Sequence, residues 1–314
     1  MAEKFYFVVN EAAAGGNVAK LWPKIDQRLN QLNVTHSDFK TNFKGDAVRI
    51  AKKILAADSS KESVIVAVGG DGTLHEILNG CKQYYASHPS EHQVPITFLP
   101  VGSGNDFARA MKISDNWSVA LDQILRVSSP QSLVVGEYQE NLRGTHGYFI
   151  NNFGIGLDAT IVHDANHSQV KHSKIFGKFS YILAALHVIR TFKPVPTTVI
   201  TDFERHHFNN GFLITTTNIP YFGGGVNIVP TASAHANNLD LVLIEKPSWK
   251  QITSFICHLL VKKHLNLKFV NHFSQKHFTI VTREKRFSQI DGEETPRQEF
   301  DVSFSTSSYP FWIK

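Results

Sequence analysis

The chain has 314 residues, 42% hydrophobic and 19% charged, with a formal net charge of +5. This length suits two moderate domains better than one core, and the low charged fraction argues against long disordered tails. The basic balance favours anionic partners such as ATP or phospholipid headgroups, whereas no dense Lys/Arg tract with interleaved aromatics marks a nucleic-acid binder. Phe5 to Val9 is a short apolar run, too brief for a signal segment or a membrane span. It reads as a strand covered on both faces. A helix follows from about Asn17 to Leu32, then a weaker strand from Val34 to Lys40. An amphipathic helix carries Val48, Ile50, Ala51, Ile54 and Leu55. Two further strand–helix units begin at Ser63 to Val68 and Val94 to Leu99. Such alternation predicts a doubly wound parallel sheet.

Past Ser128-Ser129-Pro130 the pattern turns to β-branched and aromatic runs. These are Leu133 to Tyr138, Tyr148 to Phe153, Thr197 to Phe203, Phe212 to Thr217, Leu239 to Ile244, His277 to Val281 and Phe300 to Phe304. They read as an antiparallel sandwich or barrel interrupted by two helices, Ser173 to Phe192 and Ser248 to Leu265. The expected fold is therefore α/β plus β. A doubly wound N-terminal domain spans residues 1–130, and a β-sandwich-like C-terminal domain spans 131–305. The apolar tail 306–314 suits either a return to the first domain or a last strand of the second. Two cysteines, Cys81 and Cys257, fit a reduced cytosolic compartment.

Glycine and acid meet twice, each time between a buried strand and a helix: Gly69-Gly70-Asp71-Gly72-Thr73 and Gly102-Ser103-Gly104-Asn105-Asp106-Phe107. Ligands of α/β sheets bind at strand carboxyl ends, where glycine lets backbone N–H groups approach phosphate oxygens. The pair predicts a nucleotide site. Neither loop satisfies the Rossmann or Walker pattern: Phe107 stands where a dinucleotide fingerprint needs glycine, and no Gly-Lys-Ser/Thr follows.

Together with Leu74-His75-Glu76, Asn79-Gly80 and Ala108-Arg109, these loops resemble the bacterial diacylglycerol kinase family of lipid kinases, relatives of sphingosine and ceramide kinases. Asp291-Gly292-Glu293 matches the place of that family's proposed catalytic acids. The resemblance runs from Asn10 to Glu293. It implies ATP and Mg²⁺ as cofactors, with Asn10, Gly16, Thr41, Gly69, Gly70, Asp71, Gly72, Thr73, Leu74, His75, Glu76, Gly102, Ser103, Gly104 and Asn105 at the nucleotide. It implies Asp71 and Asp106 as acids linked to Mg²⁺ through water, and Glu293 as the base, assisted by Asp291. Taken alone, Asp291-Gly292-Glu293 reads either as an ordinary hairpin turn or as an extended segment with two acids at i and i+2 on one side, where close carboxylates raise the pKa of one. The expected activity is transfer of phosphate to a hydroxyl of diacylglycerol or a related lipid, by a cytoplasmic protein that visits the membrane surface peripherally. No nucleic acid and no transmembrane segment are expected.

The resemblance has departures. Glu11 replaces a proline and Ala14 the first glycine of the first phosphate loop, and Ala236 replaces an aspartate that helps bind a structural Mg²⁺, so that metal site is expected to be absent or weakened. Two other functions stay open: a soluble nucleotide or NAD kinase sharing the first glycine motif, and a non-catalytic nucleotide or lipid sensor. Among lesser features, His163 and His167 have metal-ligand spacing, and Gly223-Gly224-Gly225 is either an acceptor opening or a flexible hairpin. The basic and apolar stretch Ser173 to Phe192 could touch lipid.

Overall fold

The computed structural model describes residues 4–58, 62–167 and 188–314. Of the stretch Ser173 to Phe192, expected to be helical and able to touch lipid, residues 173–187 lie outside the described residues. The chain forms two compact units. One comprises Met1–Val135, Gly223–Val226 and Ser307–Lys314; the other comprises Gly136–Phe222 and Asn227–Thr306.

The first unit is the expected doubly wound sheet. Its strands β1 (Lys4–Val9), β2 (His36–Lys40), β3 (Ser63–Gly69) and β4 (Ile96–Pro100) alternate with α1 (Ala13–Gln31), α2 (Asp46–Ala57) and α3 (Asp71–Ser87). All pairings are parallel, in the order β2-β1-β3-β4. Two short helices follow, α4 (Asp106–Ala110) and α5 (Trp117–Leu125). On one face, Phe5, Phe7 and Val9 of β1 and Val64, Val66 and Val68 of β3 pack with Val18, Trp22, Ile25 and Leu29 of α1 and Leu121 and Ile124 of α5. The alternate residues Tyr6, Val8, Ile65 and Ala67 are buried as well. Burial on both faces is why these strands read as continuous apolar runs rather than as alternation.

The C-terminal tail from Ser307 onward belongs to the first unit, and the strand that leads into it belongs to the second. Strand β15 (Glu293–Phe311) pairs residues 293–305 with β14 (His277–Ile290) in the second unit, while Phe311 pairs in parallel with Ile96 of β4. Trp312 then donates its indole N–H to the carbonyl of Ile124 at 3.1 Å, and the Tyr309 hydroxyl donates to the carbonyl of Val94 at 2.8 Å. Both rings are buried, so each polar tip finds the partner that burial demands.

The second unit is built on antiparallel pairings. Besides β14 and most of β15 it contains β6 (Thr145–Phe149), β7 (Asn152–Gly156), β8 (Val195–Thr201), β9 (Arg205–Thr217), β12 (Leu239–Glu245) and β13 (Val270–Gln275). Strand β5 (Gln131–Glu140) enters it from the first unit, and the two-residue strands β10 (Tyr221–Phe222) and β11 (Val226–Asn227) pair with each other. Strand β9 pairs with β7 and β8, and β14 with the same two, so the long strands close the sheet on itself. Inside lie Phe149, Phe153, Phe278, Phe300 and Phe304 with Leu239, Leu241 and Leu243. A second core forms under α6 (Leu157–His167) and α7 (Trp249–Leu260), using the other face of β12 through Val242 and Ile244.

Two local expectations are corrected. The single strand expected from Tyr148 to Phe153 is two, β6 and β7, because the backbone at Ile150 and Asn151 turns its amides toward a carboxylate described below. The helix expected to reach Leu265 ends at Leu260; Lys262 adopts φ 57° and His264–Asn266 form a short 3₁₀ turn.

Candidate functional site

The carboxyl ends of β1, β2 and β3 are tied together. Thr41 donates its backbone N–H to Val9 at 3.0 Å, Asn10 donates to Val68 at 2.9 Å, and the Asn10 side-chain amide donates to the Thr73 hydroxyl at 3.1 Å. Beyond Asn10 the chain passes through Ala14, Gly15 and Gly16 at φ 51°, 66° and 84° before α1 proceeds. The left-handed turn thus survives the missing glycine, with Ala14 itself adopting it at a cost of roughly 1 kcal/mol. Glu11, in place of the proline, pairs with Lys40 at 2.7 Å.

The two glycine loops are in backbone contact. A Cβ on Gly102 would lie 2.5 Å from the Gly70 Cα, and one on Gly69 would collide with the Thr73 hydroxyl. Asp71, at the first position of α3, reaches the second loop: its carboxylate accepts the N–H groups of Asp106 at 3.0 Å and Phe107 at 3.1 Å. Asn105 sits at φ 54°, donating its side-chain amide to the Gly102 carbonyl at 3.1 Å, while Ser103 is exposed. Gly72 lies in the first turn of α3, where amides have no partner within the helix, and Gly104 passes beside the Asp71 carboxylate. The result is a concentration of helix N-termini and close-packed glycine backbone at strand ends, chemistry suited to phosphate oxygens.

Asp106 is buried. One carboxylate oxygen pairs with Arg109 at 2.6 Å and the other accepts the Gly224 N–H at 2.8 Å. Burial pushes its pKa up to about 6; the Gly224 N–H offsets part of this and the neighbouring Asp71 charge adds to it. Two neighbouring carboxylates, one of them buried, suit the hard oxygen preference of a divalent cation. The described residues contain no cluster of three or more acids, histidines or cysteines arranged for a metal.

Three residues of the first motif face inward. Leu74 is fully buried. The Glu76 carboxylate accepts the N–H groups of Gly45 at 2.8 Å and Ala47 at 3.1 Å, capping α2 from α3. The side-chain amide of Asn79 donates to the carbonyl of His75 at 2.9 Å, and a Cβ on Gly80 would strike the backbone of Val48, so Asn79-Gly80 sets a close α2–α3 crossing. This part of the motif builds the platform beneath the loops.

In the second unit, Asp291 and Gly292 form the two-residue turn between β14 and β15, at φ 50° and 87°, with Ile290 paired to Glu293. Of the two readings of this motif the hairpin turn is the one adopted: Asp-Gly is the sequence of a type I′ turn. Asp291 is buried and its carboxylate accepts three backbone amides, Ile150 at 2.9 Å, Asn151 at 2.7 Å and Asn152 at 3.0 Å. Glu294 turns to His163 at 3.0 Å, whose ring stacks on Phe287. Glu293 is the partly exposed acid of the turn.

Sequence reading missed Asp158 and Gln289. Gln289 accepts the Gly292 N–H at 2.8 Å and donates to Asp158 at 3.2 Å. Asp158 is buried, and burial pushes its pKa up to about 6. The available signal was Gly154: its missing Cβ leaves the space that the Asp158 carboxylate fills.

Other candidates divide differently. The His167 side chain lies outside the described residues. Gly223 to Gly225, all left-handed, belong to the first unit, where Gly224 binds Asp106 and Gly225 packs on the Arg109 guanidinium; they are a clasp. Near Ala236, His272 contacts Asp240 at 2.7 Å and the Asn238 amide donates to it at 3.3 Å. Both cysteines are free thiols, and burial pushes Cys81 up to about 12.

Comparison with known proteins accords with this geometry. Residues 4–135 match the model of the diacylglycerol kinase catalytic domain, and residues 152–306 match the YegS C-terminal NAD kinase beta sandwich-like domain. The chain is 27% identical over 316 aligned residues, 99% of each protein, to the Bacillus subtilis protein named "Putative lipid kinase YtlR". It is 26% identical to "Diacylglycerol kinase" of the same organism, covering 85% of this chain and 82% of that one. A crystal structure titled as a putative diacylglycerol kinase from Bacillus anthracis superposes with a TM-score of 0.74 at 22% identity, covering 99% of this chain and 95% of that one, which establishes the shared fold. No helix among the described residues is long and apolar enough to cross a membrane. With a catalytic-domain match over its first unit and the companion sandwich-like domain over its second, this chain belongs to the diacylglycerol kinase family of lipid kinases.

Proposed function

We propose that this protein transfers the γ-phosphoryl group of ATP to a hydroxyl of diacylglycerol or a related lipid, acting from the cytoplasm at a membrane surface. The observation that carries this reading is the Asp71 carboxylate holding the two glycine loops together through the amides of Asp106 and Phe107. Phosphoryl transfer asks the protein mainly for positioning and electrostatic stabilisation. The strand-end loops from Asn10 to Gly16, Gly69 to Thr73 and Gly102 to Asn105, with Thr41, would cradle the nucleotide. Asp71 and Asp106 would hold Mg²⁺ through water. That ion supplies neutralisation of phosphate charge when bound. His75, Leu74 and Glu76 would support the cradle from within α3.

Glu293 would accept the proton of the acceptor hydroxyl. Asp291, fully engaged by three amides, would fix the turn that presents Glu293. The test is ATP-dependent phosphate transfer to mixed micelles carrying diacylglycerol, phosphatidylglycerol, sphingosine or ceramide, with NAD as a control acceptor. Transfer to one lipid, lost in Asp71→Ala and Glu293→Ala, supports the reading; activity on NAD with none on lipid overturns it.

A further inference from the structure

The surface of α7 departs from the rest of the molecule. Trp249, Ile256 and Leu260, spaced i, i+7 and i+11, lie along one side of the helix. They are 57%, 48% and 80% exposed, and Val261 just beyond is 61% exposed. The remaining exposed large hydrophobics of the described residues, such as Leu32, Phe43 and Phe203, are scattered along the chain. The opposite side of α7 is held down by half-buried Phe255, which packs on the core formed with Phe212 and Val242. Ser248 and Gln251 fix its start with a capping box. The exposed stripe is therefore presented on a seated helix.

Charge selects the occupant. From Lys246 to Lys276 the chain carries six lysines and no aspartate or glutamate, against a net charge of +5 for all 314 residues, so the rest of the molecule is close to neutral. Lys250 flanks the stripe at its start, and Lys262 and Lys263 at its end, all exposed. A seated amphipathic helix with Trp, Ile and Leu on one side and lysines around it matches the chemistry of an anionic bilayer surface, where the apolar stripe enters the headgroup boundary and the lysines meet lipid phosphates. We propose that α7 is the membrane-docking surface of this protein and that its partner is an anionic lipid bilayer. The proposal rests on the lipid kinase reading for its purpose but not for its measurement.

The experiment is sedimentation of the full chain with vesicles of phosphatidylcholine containing 30% phosphatidylglycerol, compared with pure phosphatidylcholine vesicles. Wild type should bind the anionic vesicles, release as salt is raised, and shift its Trp249 fluorescence to the blue. The Ile256→Gln/Leu260→Gln variant and the Lys262→Glu/Lys263→Glu variant should each bind at least 10-fold more weakly with unchanged melting temperature. Transfer to a short-chain, water-soluble diacylglycerol measured alongside should be the same in all three proteins. Vesicle binding equal in wild type and both variants overturns the proposal, as does no binding by wild type. A concentration-dependent dimer abolished by Ile256→Gln/Leu260→Gln, without loss of vesicle binding, assigns the stripe to a second copy and also overturns it. No transfer to any acceptor, with vesicle binding lost in the variants, rejects the kinase reading and leaves the docking surface standing.

Discussion

Asp71 at the head of α3 accepts the amide of Phe107 at 3.1 Å, and that of Asp106 at 3.0 Å, so one carboxylate fastens the second glycine loop to the first. Asp71→Asn retains one acceptor and turns an NH₂ toward the other amide. Leaving a buried donor unsatisfied costs about 1–3 kcal/mol. The expected outcome is a melting temperature lowered by several degrees and loss of the stabilisation that Mg·ATP gives the wild type. An Asp71→Asn protein with a wild-type thermal shift on adding Mg·ATP would remove Asp71 from the nucleotide site.

Gly102 faces Gly70 so closely that a methyl group would sit 2.5 Å from the Gly70 Cα. Backbone cannot yield as a flexible side chain does, so Gly102→Ala should separate the loops at a cost of about 1–3 kcal/mol. ATP affinity measured by calorimetry should fall at least 10-fold while the circular dichroism spectrum is retained. Unchanged affinity would show that the loop contact does not shape the phosphate cradle.

The two acids of the hairpin should separate by their phenotypes. Asp291→Asn disturbs a carboxylate accepting three amides and should lower stability by about 1–3 kcal/mol. Glu293→Gln should leave the melting temperature within a degree or two and reduce kcat by about 10² to 10⁴, the range for loss of a general base. The reverse pattern, with Glu293→Gln unstable and active, would exchange the roles.

Asp158 offers a pH signature. Its folded pKa of about 6 lies above the usual carboxylate value because the group is buried. Its contribution to stability is therefore complete below pH 4 and is lost as pH rises through about 6, a change on the order of 3 kcal/mol. Asp158→Asn carries no such proton. Its melting temperature relative to wild type should climb steadily between pH 4 and pH 7. A difference that stays constant over that range would mean that Asp158 titrates normally.

The fold class was legible because burial writes itself into periodicity. Val64 to Val68 is apolar at every position since β3 is covered on both faces, and the swing to β-branched and aromatic runs after Pro130 marks the antiparallel sheet. The glycine loops were equally legible, because the close backbone approach at Gly102 leaves no room for a side chain. Other features waited for the tertiary structure. The amides that grip Asp291 come from Ile150, Asn151 and Asn152, far away in sequence, and they also split one expected strand into β6 and β7. Gly224 reaches Asp106 across a similar separation, and Glu76 spends its carboxylate on α2. Local pattern records whether a residue is buried and which conformations it tolerates. It carries no record of which distant amide meets a given carboxylate, because that choice is made only when strands and helices pack.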